Sequence, residues 1–188
     1  MLAGLIGARP TSRLRRQLAE AGGLAGLVLA AVEPSVERPT GVRHRIALAV
    51  ELVRRGLGQT LPATPLLDSP GAVRDYLRLG IGLSPHEVFA VLFLDAQHRL
   101  LTLEEMFRGT VSQTSVYPRE VVRRALGLNA SAVVFAHNHP SGSAEPSAAD
   151  RKLTAALRDA LALVDVHVLD HLVVTRQRVF SFAEAGLL

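Results

Sequence analysis

The chain has no cysteine and no tryptophan, aromatic residues are only 4% of its 188 residues, and lysine occurs once, at Lys152. The missing thiols exclude disulfides and thiolate metal sites, so any metal must be held by histidine and carboxylate. The absence of disulfides fits a reducing compartment, and a cytoplasmic location is expected. Long apolar runs are also missing. "GGLAGLVLAAV" (22–32) is too short to span a bilayer. The opening "MLAGLIGARPTSRLRR" puts no basic region ahead of a long apolar stretch, so it does not read as a signal peptide. What the chain does have is apolar bulk, 48% of residues, enough for a sizeable core. Its net charge of +4 is uneven: residues 1–65 hold nine arginines against four glutamates, whereas the rest holds 12 basic against 13 acidic residues. A basic N-terminal part can be a nucleic-acid surface or an ordinary solvated face.

Residues 1–58 read as a small all-helical domain. "RPTSRLRRQLAEAGG" offers Thr11 or Ser12 as a cap and Gly22-Gly23 as a stop. "GLAGLVLAAV" gives a second short helix, and Pro34 and Pro39 break the chain. "GVRHRIALAVELVRRGLG" spaces Ile46, Val50, Val53 and Leu57 along one helical face with arginines opposite. Residues 59–71, with three prolines, read as a linker. From 72 to 188 the pattern alternates between strands and single helices. "AVRDYLRL", "PREVVRRALGLN" and "SAADRKLTAALRDALAL" predict helices, the second opening on proline and closing on Gly127 and Asn129. "EVFAVLFLD", "RLLTLEEMF", "SAVVFAH", "DVHVLDHLVVT" and "RVFSF" predict strands. The fold class is therefore α/β (α+β): a mixed sheet flanked by helices, preceded by a small all-α domain.

The chemistry concentrates in "AHNHPSGSAEPSAAD" (136–150). Side chains two apart on a strand share a face, so His137 and His139 converge on one point while Asn138 faces away. Two imidazoles and a carboxylate make a zinc site with a fourth position open, and Asp150, one turn into the next helix, is the nearest third ligand. Such a site needs a base for its water and a donor for the oxyanion. Ser147, at the mouth of Asp150's helix, is a candidate donor. "S-A-A-D" is equally a capping box, which accounts for Ser147 and Asp150 without catalysis, and both roles can hold at once. An H-x-H alone is weak in a chain with seven histidines. His171, after Asp170, is either an orienting residue or a hydrogen-bonded histidine at a strand junction. His44, His86, His98 and His167 have no partner pattern. The letters H-N-H do not make an HNH nuclease, whose residues are spread along a longer unit.

His137-Asn138-His139, seven residues, Ser147, two residues and Asp150 resemble the JAMM zinc metalloprotease motif of MPN/JAB-type domains. "FLDAQHRLL", "EEMFRGT", "YPREVVRRALGLNASAVVFAHNHPSG", "EPSAAD" and "LDHLVV" further resemble the bacterial RadC-type proteins, from about residue 70 to 188. The resemblance implies an MPN/JAB fold, similar to the cytidine-deaminase-like architecture, and one Zn2+ held by His137, His139 and Asp150. It implies Glu87 as general base and acid and Ser147 as oxyanion donor, acting on a peptide or isopeptide-like amide. Glu104 and Glu105 are rivals to Glu87 and read better as a solvated hairpin end. Asn138 departs from the Ser or Thr of JAMM deubiquitinases but matches RadC-type proteins. The helical part resembles a degenerate helix-hairpin-helix, "ERPTGVRHR" keeping only Gly41, or is a small bundle serving as scaffold or protein contact. The alternative is a DNA-associated accessory protein in repair or recombination, docking DNA through basic residues 1–58, with a structural or vestigial metal site.

Overall fold

Glycine and proline punctuate the first sixty residues into short helices, and a computed structural model, which describes residues 12–32, 41–60, 70–109 and 116–188, contains them: α1 (Ser12–Glu20), α2 (Leu24–Val32) and α3 (Gly41–Thr60). Gly22 ends α1 with φ of 69°, a left-handed turn that suits glycine, and the Gly23 amide caps back to the Leu18 carbonyl at 2.8 Å. Leu27, Ala31 and Ile46 form the small core of this unit. Val53, expected on the buried side of α3, is instead 52% exposed. Among the described residues, the core that includes Ile46 and Val50 is reached by the N-terminal half of α3, and Leu52 and Val53 lie beyond it. Arg16 pairs with Glu20, and Arg54 and Arg55 with Glu51, so ion pairs take up part of the basic charge. Of "ERPTGVRHR" only Gly41 onward lies within the described residues.

The chain divides into two units, residues 1–56 and 57–188. The boundary expected after residue 58 falls inside α3; residues 59–60 are its last turn, and 61–69 lie outside the described residues. Pro70 opens α4 (Pro70–Gly80). The second unit continues with β1 (Val88–Leu94), β2 (Leu100–Arg108), α5 (Pro118–Gly127), β3 (Ala132–Asn138), α6 (Ala148–Ala162), β4 (His167–Val174) and β5 (Val179–Ser181). Every strand and helix read from the sequence between 72 and 188 has its counterpart here.

The sheet order is β2-β1-β3-β4-β5. β1 runs antiparallel to β2 and β3, β3 and β4 are parallel, and β5 is antiparallel to β4. Parallel neighbours need a crossover, and α6 provides it. β1 and β3 are fully buried, which explains their unbroken apolar sequences. One face packs Val88, Ala90, Leu92, Val134 and Ala136 against Val73 and Leu77 of α4. The other packs Phe89, Val91, Phe93, Val133 and Phe135 against Val121 and Ala125 of α5 and Leu157 and Leu161 of α6. Each such apolar side chain contributes about 1.5–3 kcal/mol on burial. β4 carries a bulge: Val133 pairs with Val168 but Val134 with Asp170, leaving Leu169 extra. The bulge turns Asp170 toward the α4 face and His171 toward the α6 face.

Candidate metal centre

β3 ends where α6 begins, joined by the loop 139–147. His137 continues the Val133–Phe135 face, and the next residue on that face is His139, whose amide still pairs with the Val174 carbonyl at 3.0 Å. Regular alternation therefore brings the imidazoles together, as the spacing predicts: His137 Nε2 and His139 Nε2 are 2.9 Å apart. Asp150 is on the first turn of α6, on the same buried stripe as Thr154, Leu157 and Leu161. Its Oδ1 lies 3.4 Å from His137 Nε2 and its Oδ2 3.6 Å from His139 Nε2. His137 is 2% exposed and Asp150 9%.

The capping box forms as written in the sequence. The Asp150 amide donates to Ser147 Oγ at 3.1 Å, and the Ser147 amide to Asp150 Oδ2 at 2.7 Å. Ser147 is exposed, and its hydroxyl acts as acceptor in that bond. Burial opposes ionisation of Asp150, but the facing imidazoles of His137 and His139 and the hydrogen bond from the Ser147 amide outweigh it and hold the carboxyl far below the usual carboxylate range. In return, Asp150 raises the pKa of His139 against the opposing effect of burial; the Ser143 carbonyl and the charges of Asp150 and Glu87 add to the rise.

The donor set fits a divalent cation. His139 Nδ1 lies 2.8 Å from the Ser143 carbonyl, which can only accept, so the ring proton is on Nδ1 and Nε2 of the neutral ring holds a lone pair. Gly142, at φ of 88°, allows the turn that puts this carbonyl there, and its amide bonds the His139 carbonyl at 3.0 Å. That lone pair faces a second imidazole nitrogen and an ionised carboxylate, a set of ligand atoms that could hold a cation. A tetrahedral zinc with bonds of about 2.0–2.2 Å sets its ligands roughly 3.3–3.6 Å apart, close to the two carboxylate separations and slightly wider than the His–His one. His137, His139 and Asp150 form the only such group of possible ligands among the described residues.

Glu87 immediately precedes β1 and is half-buried. Phe89 stands opposite His137, so Glu87, two residues earlier, falls beside His139 on the same face. The rivals are committed elsewhere: Arg124 holds Glu104 through its Nε and Nη2, and Arg108 holds Glu105 at 2.8 Å. Asn138 does face away, as expected, but it is 1% exposed and fully used. Its Oδ1 accepts from the Val88 amide at 2.7 Å, and its Nδ2 donates to the carbonyls of His86 at 3.0 Å and Ser84 at 3.3 Å. These bonds bracket Glu87 and tie it to the strand that carries both histidines. Nothing in the local sequence shows this, because the partner is 50 residues away.

His171, left open between two roles, stands directly behind the site. Its Nε2 is 2.8 Å from His137 Nδ1 and its Nδ1 2.6 Å from Thr154 Oγ1, which also bonds the Asp150 carbonyl at 2.6 Å. Burial, and after it the charge of His137, pushes the His171 pKa well down. Thr154 was missed from the sequence; its signal is a polar residue in the apolar stripe of α6, four residues after Asp150. Asp170, on the other face, accepts from the His171 amide at 2.7 Å, Ser181 Oγ at 2.6 Å and the Ala183 amide at 2.9 Å. No helix among the described residues is long and apolar enough to cross a membrane.

Residues 67–187 match the family model described as RadC-like JAB domain. A UPF0758 protein of Methylibium petroleiphilum is 59% identical over 181 residues, covering 92% of this chain and 81% of that protein. A UPF0758 protein of Leptothrix cholodnii is 55% identical over 189 residues, covering 98% and 85%. One of Burkholderia pseudomallei is 60% identical over 141 residues, covering 75% of this chain but 51% of its own length.

Proposed function

The chain belongs to the RadC-like JAB domain family, and from that premise we propose that it is a zinc-dependent hydrolase of the JAMM type, cleaving a peptide or isopeptide-like amide. The observation that carries this reading is the convergence of His137, His139 and Asp150, whose ring nitrogens and carboxylate oxygens lie 2.9–3.6 Å from one another as a metal ion's ligands would. These three residues would hold the ion. Bound there, zinc supplies a Lewis acid and brings the pKa of a water down to about 7.

The remaining steps belong to the chain's own side chains. Glu87, set beside His139 by the strand register and flanked by the backbone that Asn138 holds, takes the proton that the attacking water gives up and delivers it to the leaving nitrogen. The Ser147 hydroxyl accepts from the Asp150 amide and turns its own proton to the oxygen of the tetrahedral intermediate. The cap and the catalytic donor are then one residue in two roles. The test is a screen of peptide and isopeptide amides with zinc-loaded protein against Glu87→Gln. Turnover that disappears in the variant while zinc is retained supports the reading; equal turnover in both contradicts it.

A further inference from the structure

The hydrogen bonds behind His137 determine where its proton sits. A backbone carbonyl only accepts, so the Thr154 hydroxyl, 2.6 Å from the Asp150 carbonyl, donates its single proton there. Its oxygen is then the acceptor in the 2.6 Å contact with His171, and His171 Nδ1 must carry a hydrogen. His171 is 0% exposed, stacked on Phe182 at 4.8 Å with Phe89 and Phe135 each at 5.7 Å, so the ring is neutral and has one N–H. Its Nε2 is a bare acceptor. His137 Nδ1, 2.8 Å away, is therefore the donor, and His137 Nε2 is left with its lone pair toward His139 and Asp150.

We propose that Thr154 and His171 are positioning residues that lock His137 in the Nδ1-protonated tautomer and so present its Nε2 to a divalent cation. The proposal rests on the reading of His137, His139 and Asp150 as a metal centre. Three features of the fold serve it. The bulge at Leu169 shifts the β4 register by one; without it His171 would face α4 rather than β3's histidines. Among the described residues, three phenyl rings surround His171, and its ring nitrogens hydrogen-bond His137 and Thr154 alone. Thr154 bonds the backbone of Asp150, so the relay starts on one ligand and ends on another, linking the helix that supplies the carboxylate to the strand that supplies the imidazoles. His139 receives the same instruction from a different source, the Ser143 carbonyl. Both rings thus offer Nε2, as partners that accept from the remote N–H generally arrange.

Ring-nitrogen 15N shifts of the metal-free, full-length protein read the tautomers directly. The expected result is protonation of both His137 and His171 at Nδ1; a His137 protonated at Nε2 alone overturns the proposal. A calorimetric Zn2+ titration forms the second arm. Thr154→Val keeps the shape and removes the acceptor, and is expected to lower Zn2+ affinity about 10–100-fold with His137 losing its single tautomer, whereas Thr154→Ser restores both. Wild-type affinity and an unchanged tautomer in Thr154→Val also overturn it. If that variant fails to fold, the wild-type shifts decide. A wild-type protein that takes up no Zn2+ yet shows the expected tautomers defeats the metal-centre reading and reduces Thr154 and His171 to structural roles.

Discussion

Two aspartates, Asp170 of β4 and Asp150 of α6, lie on opposite faces of the sheet, and their surroundings differ in one respect. Asp170, under α4, receives three protein donors, two on Oδ1 and one on Oδ2. Burial raises its pKa, but its bonds are closed within the chain, and it acts as a fastener between β4 and the end of β5 with the residues just after it. Asp150, on the first turn of α6, receives one backbone donor on Oδ2, while its Oδ1 faces an imidazole nitrogen at 3.4 Å. A carboxylate whose bonds close on protein holds a fold; one that faces two imidazoles is placed where it could share a cation with them. The same contrast separates the two sides of β3: Asn138 is fully bonded, and the histidines on either side of it are not.

Several substitutions break or sharpen this contrast. The largest effect is expected from Glu87→Gln, which should cut turnover by about 10²–10⁴ with zinc binding intact, measured by steady-state kinetics beside metal analysis. Ser147→Ala should cost about 1 kcal/mol of stability through the lost cap. If the hydroxyl also serves the oxyanion, kcat should fall about 10²–10³ as well; a drop in melting temperature alone would leave only the cap. Asp150→Asn should weaken zinc binding by more than the ~10–100-fold expected of an orienting partner. It should also abolish the thermal shift of roughly 5–10 °C that zinc at a hundred times its Kd would give the wild type. Asn138→Ala leaves the Val88 amide unpaired and is expected to cost about 1–3 kcal/mol, with turnover falling and zinc affinity held. Asp170→Ala should destabilise by a similar ~1–3 kcal/mol, read by denaturant unfolding, with no change in zinc affinity. Equal loss of zinc in Asp170→Ala and Asp150→Asn would erase the distinction.

Much of this was legible in the sequence for local reasons. Alternation over a regular strand suffices to bring His137 and His139 to one point, and the capping box is spelled out over four residues. The apolar runs of β1 and β3 announce strands buried on both faces. What escaped depends on pairing between distant segments. The Asn138 clamp exists because β1 lies beside β3. The His171 relay exists because of one extra residue at Leu169, and counting alternate residues through "VHVLDHLVV" cannot detect a bulge. Val53 failed for a related reason: helical spacing gives a face, and only the neighbouring elements decide how far along the helix that face is covered.

The most direct measurement is a calorimetric Zn2+ titration of the full-length protein beside its Asp150→Asn variant. One ion per chain in the wild type, with binding lost or greatly weakened in the variant, is the predicted result. No zinc uptake by the wild type, or uptake unchanged by the substitution, would contradict the account.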